Sequence, residues 1–234
     1  MQYEAYYWNA GDLWLVPMNV YYGQTLVARA DVDLFTGELI KSILNYAPAV
    51  FSFIDTVPSN WYYDAVKYAY DHALMAGTSV TNFSPNVSMT RGMMVTVLYR
   101  MVEDDGSLGD NPFTDVKSGD WYRDAVIWAY QNGIVNGYGN GKFGPNDPIT
   151  REQMAAILYR FSDLYGLNTD IAGNIYTYAD YGNISYYAVD SMRWACGKGL
   201  INGMGNNRLE PQGTATRAQM ATVLQRFCQN FLGR

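Results

Sequence analysis

Histidine occurs once in this 234-residue chain, at His72, and cysteine twice, at Cys196 and Cys228. A single histidine with no recurring Cys, Ser or Asp partner leaves acid–base and nucleophilic catalysis without their usual groups. No CxxC pair and no metal-ligand spacing is present. Both cysteines lie in apolar helical patterns and read either as buried free thiols or as a pair joining two helices. Basic runs are missing too. The net charge is −6 and the pI about 4.7, so the chain lacks the cations that neutralise a nucleic-acid backbone. No apolar stretch reaches 18 residues, which argues against a membrane-spanning helix. The start, Met1-Gln2-Tyr3-Glu4-Ala5, has neither a basic nor an apolar leader region; an exported form is expected to carry its signal on a segment outside this chain. Gly139-Asn140-Gly141-Lys142 is followed by Phe143 where a phosphate loop needs Ser or Thr. No Asp/Asn-rich loop has calcium-loop spacing. No enzyme activity, cofactor or metal is therefore expected.

What the chain does have is a repeat. Thr-Arg occurs as Thr90-Arg91, Thr150-Arg151 and Thr216-Arg217, spaced by 60 and then 66 residues, each time after a Pro-containing loop and before an apolar helical run. Asp55, Asp115 and Asp180 precede these arginines by 36, 36 and 37 residues. Trp61 and Trp121, each followed by Tyr, are 60 apart. Gly77, Gly137 and Gly203 each close an apolar run, and Pro85, Pro145 and Pro211 keep the phase. Such a period, holding two helix patterns per unit, predicts three copies of one helical unit stacked around a shared core. With 49% hydrophobic residues, 15% aromatic residues and 21 Tyr, the chain can build one. Its Tyr and Trp serve either that core or a carbohydrate or protein contact surface.

Repeat 2 shows the plan most fully. A first helix is expected from Trp121 to about Gln131, with Trp121, Ala125, Val126, Trp128 and Ala129 on one apolar face. A second is expected from Arg151 to about Asp163, with Met154, Ile157, Leu158 and Phe161 inward. Thr150 and Thr216 have Gln153 and Gln219 three positions on, a capping-box spacing. Repeat 1 has Met93 there, so Thr90 caps alone.

Capping explains the Thr but not an Arg at the first helical position, where the helix dipole disfavours positive charge. Three repetitions of a locally unfavourable choice point to function. The expectation is three anion-binding corners, each pairing unpaired helix N–H groups with an arginine fork. The upstream Asp of each unit either orients that Arg or accepts bonds from sugar hydroxyls. Trp61 and Trp121 either stack on a sugar ring or anchor the core.

Residues 1–46 read differently. Strand patterns at residues 13–22, 25–32 and 38–43 predict a small antiparallel β meander. Val32-Asp33-Leu34-Phe35-Thr36-Gly37-Glu38 resembles the hairpin of PepSY-like domains, which implies the end of a larger upstream module.

The units FIDTVPSNWYYDAVKYAYDHALMAG…FSPNVSMTRGMMVTVLYR and FTDVKSGDWYRDAVIWAYQNGIVNGYGNGKFGPNDPITREQMAAILYRF closely resemble surface-layer homology (SLH) repeats. The third unit, residues 178–227, resembles them less closely. The resemblance covers about residues 50–231 and implies a mainly α fold, a pseudo-threefold, three-pronged helical spindle. Expected boundaries are 1–46 for the meander, then 47–106, 107–170 and 171–234 for the repeats. The resemblance further implies a monomeric, extracellular cell-wall anchor that binds pyruvylated wall polysaccharide in grooves between repeats. Its contacts would be Arg91, Arg151, Arg217, Asp55, Asp115, Asp180, Trp61, Trp121, Gly77, Gly137 and Gly203. Nucleic acid and membrane are not expected partners. A protein-interaction scaffold of the surface layer, or a non-catalytic module of a larger extracellular enzyme, is the alternative. The chain departs from the usual TRAE motif, with TRGM, TREQ and TRAQ. Repeat 3 also has Tyr186 or Tyr187 for the Trp and Leu209-Glu210-Pro211-Gln212 for F-x-P-N.

Overall fold

The structure, a computed structural model, divides into two units, Met1–Ser52 and Phe53–Arg234. It describes residues 51–102 and 107–233 in full; before them it gives only backbone strand segments. Among those segments Thr25–Asp33 pairs antiparallel with both Leu13–Tyr22 and Leu39–Ile43. Residues 34–38, which carry most of the PepSY-like string, lie outside the described residues, so the expected meander and module end remain proposals.

The second unit is mainly helical. Its helices are α1 (Tyr63–Asp71), α2 (Arg91–Val102), α3 (Arg123–Gln131), α4 (Arg151–Leu164), α5 (Val189–Gly197) and α6 (Arg217–Phe227). Each repeat supplies one pair. The inward residues of α4 behave as their spacing predicts: Met154, Ile157, Leu158 and Phe161 are buried. In α3 the face is Ala125, Val126, Trp128 and Ala129, all buried, but Trp121 departs from it. Trp121 sits in the turn before the helix and is 61% exposed, so its place on the core face is corrected. Both cysteines are free thiols, Cys196 half-buried and Cys228 buried.

Helices pair across repeats in a cycle. The second helix of each repeat packs on the first helix of the next: α2 on α3, α4 on α5, and α6 back on α1. A ring of backbone bonds closes the centre. Met89 N–H donates to the Ala215 carbonyl (2.8 Å), Ala215 N–H to Ile149 (2.9 Å) and Ile149 N–H to Met89 (2.8 Å). All three residues are fully buried. Three equivalent donors bonded head to tail satisfy one another only if the repeats stand in cyclic order around one axis.

The same cycle caps the helices. Arg91 and Gly92 N–H groups donate to the Asp147 and Pro145 carbonyls of repeat 2. Arg151 and Glu152 donate to Gly213 and Pro211 of repeat 3, and Arg217 and Ala218 to Val87 and Pro85 of repeat 1. The third N–H goes to the Thr side chain, at Met93, Gln153 and Gln219. Capping boxes form at Thr150–Gln153 and Thr216–Gln219, while Thr90 caps without a returning side chain. The Pro-containing loop of each repeat is therefore the N-terminal cap of its neighbour.

Candidate functional site

This capping removes one part of the anion-corner expectation. The first three N–H groups of α2, α4 and α6 are already bonded, so these helix ends offer no open cradle for an anion. The arginine side chains must carry any recognition themselves.

Those side chains are nearly buried, at 6% exposure for Arg91, 5% for Arg151 and 6% for Arg217. Each uses two of its nitrogens to brace the next repeat. Arg91 donates from Nε to the Phe143 carbonyl and from Nη2 to the Asn136 carbonyl, both at 2.9 Å. Arg151 repeats this with Leu209 (2.8 Å) and Asn202 (2.6 Å), and Arg217 with Phe83 (2.8 Å) and Ala76 (2.5 Å). Desolvation lowers all three guanidinium pKa values, with nearby acidic groups opposing the shift. They stay cationic at any physiological pH because arginine starts so high.

The aspartates act one step behind. Asp115 Oδ1 accepts from Phe143 N–H (2.9 Å) and Oδ2 from Gly144 N–H (2.9 Å). It thus orients the peptide whose carbonyl receives Arg91. Asp55 holds Phe83 and Ser84, and Asp180 holds Leu209 and Glu210, in the same way. Desolvation pushes these carboxyls up, but the backbone N–H bonds outweigh it and hold all three below the ordinary value. Both oxygens of each are engaged by loop backbone, so the role the structure gives them is to position the loop. Each Asp also serves the Arg of the preceding repeat, not that of its own unit.

The glycines allow the close approach. A Cβ on Gly137 would lie 2.6 Å from both the Lys142 carbonyl and the Phe113 ring. Only glycine fits where that loop folds back beneath Arg91.

Three grooves result, and every one is built by all three repeats. The first joins Arg91 of repeat 1, Gly137 and Arg160 of repeat 2, and Tyr187 of repeat 3, in about 310 Å³. The second joins Arg151, Gly203, Arg226 and Trp61 in about 340 Å³. The third joins Arg217, Gly77, Arg100 and Trp121 in about 450 Å³. These volumes suit a small ligand such as one or two sugar rings. Trp61 and Trp121 are 69% and 61% exposed, which removes the core-anchor alternative. Tyr187, not the neighbouring Tyr186, takes the Trp position in repeat 3. One extra residue between Asp180 and α5 shifts the count there.

Arg100, Arg160 and Arg226 were not singled out from the sequence. They lie nine residues after the motif arginines, on the same helices, and keep the 60- and 66-residue spacing that would have revealed them. Nine residues turn a helix by about two and a half turns. The two arginines of one helix therefore face opposite grooves, and each groove receives one arginine from each of two helices. Among the described residues no Asp or Glu lines any of the three grooves.

One carboxylate stands just behind. Glu152 is buried and accepts from Ser185 N–H (2.9 Å), Tyr187 Oη (3.1 Å) and Gln212 Nε2 (2.8 Å). Burial, helped by Glu152, pushes the Tyr187 phenol up to about 12, so it remains a donor.

The family model for the S-layer homology domain matches residues 52–93, 112–155 and 177–221, more than half of the chain. The chain belongs to the S-layer homology domain family. Among its relatives, an amylopullulanase of Thermoanaerobacterium thermosulfurigenes is 31% identical over 82% of this chain and 10% of its own length. An S-layer protein of Bacillus thuringiensis subsp. finitimus is 24% identical over 84% of this chain and 24% of its own length. A cellulosome-anchoring protein of Acetivibrio thermocellus is 26% identical over 70% and 39%. The chain thus spans well under half the length of these relatives, and the resemblance to the enzyme is confined to a stretch the size of the repeats. Membership of this S-layer homology family places the chain at the cell surface or wall.

Proposed function

We propose that this S-layer homology unit anchors an exported protein to the bacterial wall by binding an anionic, pyruvylated wall polysaccharide in its three grooves. One observation carries this: every groove brings two arginines together beside an exposed ring and, among the described residues, lines itself with no carboxylate, on a chain of net charge −6. Concentrating like charges costs free energy unless an anion answers it. In each groove the motif arginine and the cross-groove arginine take the carboxylate. The aromatic ring stacks on the sugar, the glycine admits it, and the aspartate fixes the loop. The unit works as a monomer, a three-pronged spindle whose internal symmetry supplies the multiplicity. Repeat boundaries of 47–106, 107–170 and 171–234 follow residues 1–46, the β meander that ends an upstream module. What the anchor holds, whether an enzyme or a lattice protein as the relatives' names suggest for them, is set by that module.

Pull-down on purified wall polysaccharide, before and after chemical removal of pyruvate, tests this. Retention only on the pyruvylated material supports it. Equal retention on both sinks ketal recognition, and no retention on either favours a protein-interaction scaffold.

A further inference from the structure

The three grooves share a plan but differ in how firmly their walls are held. In the first, the Arg91 guanidinium lies against two rings, 4.6 Å from the Phe143 centroid and 4.9 Å from that of Tyr138. Arg217 has the single ring of Phe83, at 4.5 Å. At Arg151 the corresponding residue is Leu209, and no ring covers the guanidinium among the described residues.

Both tyrosines of the first groove are tied by their hydroxyls. Tyr138 Oη donates to Asp147 Oδ2 at 3.0 Å, and Tyr187 Oη to the buried Glu152. By repeat spacing, Thr78 and Met204 stand for Tyr138, Val87 and Gly213 for Asp147, and Gly92 and Ala218 for Glu152. No other repeat can therefore make either tether. Trp61 and Trp121 each pack edge-on against a neighbouring tyrosine ring, and among the described residues neither ring nitrogen has a hydrogen-bond partner. The first groove is also the smallest of the three, at about 310 Å³.

Resting on the glycan-binding reading, we infer that the Arg91 groove is the preorganised one and is filled first by an acidic sugar, with Glu152 and Asp147 as positioning residues. Two rings packed against a guanidinium narrow recognition to its uncommitted edge. Nε and Nη2 of Arg91 are committed to backbone, and Nη1 has no partner among the described residues. A carboxylate must approach that edge, with Arg160 on the facing wall and a pyranose ring against the tyrosines. Each side chain already held spares the ligand an ordering cost worth roughly two- to tenfold in affinity.

The test is titration of the ¹⁵N-labelled full chain with a short wall oligosaccharide bearing one ketal pyruvate, and with the same oligosaccharide after pyruvate removal. The Trp61 and Trp121 indole signals report the other two grooves; backbone amides of Tyr138 and Tyr187 report this one. At the lowest ligand ratios the tyrosine amides shift and the two indoles do not. Tyr138→Thr and Tyr187→Phe each weaken the tightest binding about three- to tenfold. Indoles responding first, or full affinity retained by both tyrosine variants, overturns the ranking of grooves while leaving glycan binding intact. No response from any groove to the pyruvylated probe overturns glycan binding itself. The wild-type titration needs no variant, so a poorly folding substitution does not leave the question open.

Discussion

The centre of the repeat unit and the mouths of its grooves obey different rules. At the centre the three copies are chemically interchangeable: one ring of backbone bonds, three capped helix starts, three arginines each bridging two carbonyls. At the mouths they diverge, with Tyr138, Thr78 and Met204 at one position and Tyr187, Trp61 and Trp121 at another. Strict repetition here marks the requirements of assembly, and variation marks what each groove presents to a ligand. The motif arginine belongs to both regions, bracing the core from two nitrogens while its edge lines a groove.

Substitutions at the centre and the mouth should therefore separate stability from binding. The largest effect is expected from Arg151→Ala, which orphans the buried Leu209 carbonyl and also removes the charged bond to the Asn202 carbonyl, and should cost about 3–5 kcal/mol by denaturant unfolding. A loss within about 0.5 kcal/mol would break the assignment of the arginine to the core. Gly137→Ala comes next, at about 1–3 kcal/mol, because its Cβ meets backbone that cannot yield. Asp115→Asn should cost about 1–2 kcal/mol at neutral pH by losing one loop N–H bond. Because the Asp115 pKa is lowered on folding, its stabilisation is present above the ordinary carboxylate range and is lost as pH falls through the folded value. The melting-temperature gap between wild type and Asp115→Asn should accordingly close in acid; a gap that persists at pH 2 would contradict the carboxylate's role. Trp121→Ala, at an exposed mouth, should leave stability within about 0.5 kcal/mol yet reduce glycan retention.

Much of this architecture was legible before any coordinates. The apolar spacing located α4 and its buried residues, and the Thr–Gln spacing located two capping boxes, because both depend on neighbours within one helix. Partners across repeats were not legible. Nothing local tells Arg91 that its acceptors are Phe143 and Asn136, or that Pro145 and Asp147 take up the N–H groups of α2. The helix-end anion site failed for that reason. Trp121 falls on the core face only if the helix starts there; α3 starts at Arg123, and the chain at 121 is still in a turn. Arg100, Arg160 and Arg226 repeat with the same spacing, but a charged residue late in a helix is ordinary and nothing local assigns it to a groove. Only the cyclic packing shows that each faces the motif arginine of another repeat.

The central claim is that paired arginines from different repeats hold an anionic wall glycan. Calorimetric titration of the Arg100→Ala/Arg160→Ala/Arg226→Ala variant with pyruvylated wall polysaccharide tests it most directly, since Arg160 and Arg226 brace the fold by one long bond each, to the Ile134 and Leu200 carbonyls at 3.3 Å, against two shorter ones for each motif arginine. The expected result is a folded protein with a near-native melting temperature whose affinity falls at least about tenfold. Unchanged affinity in a folded variant would contradict the claim.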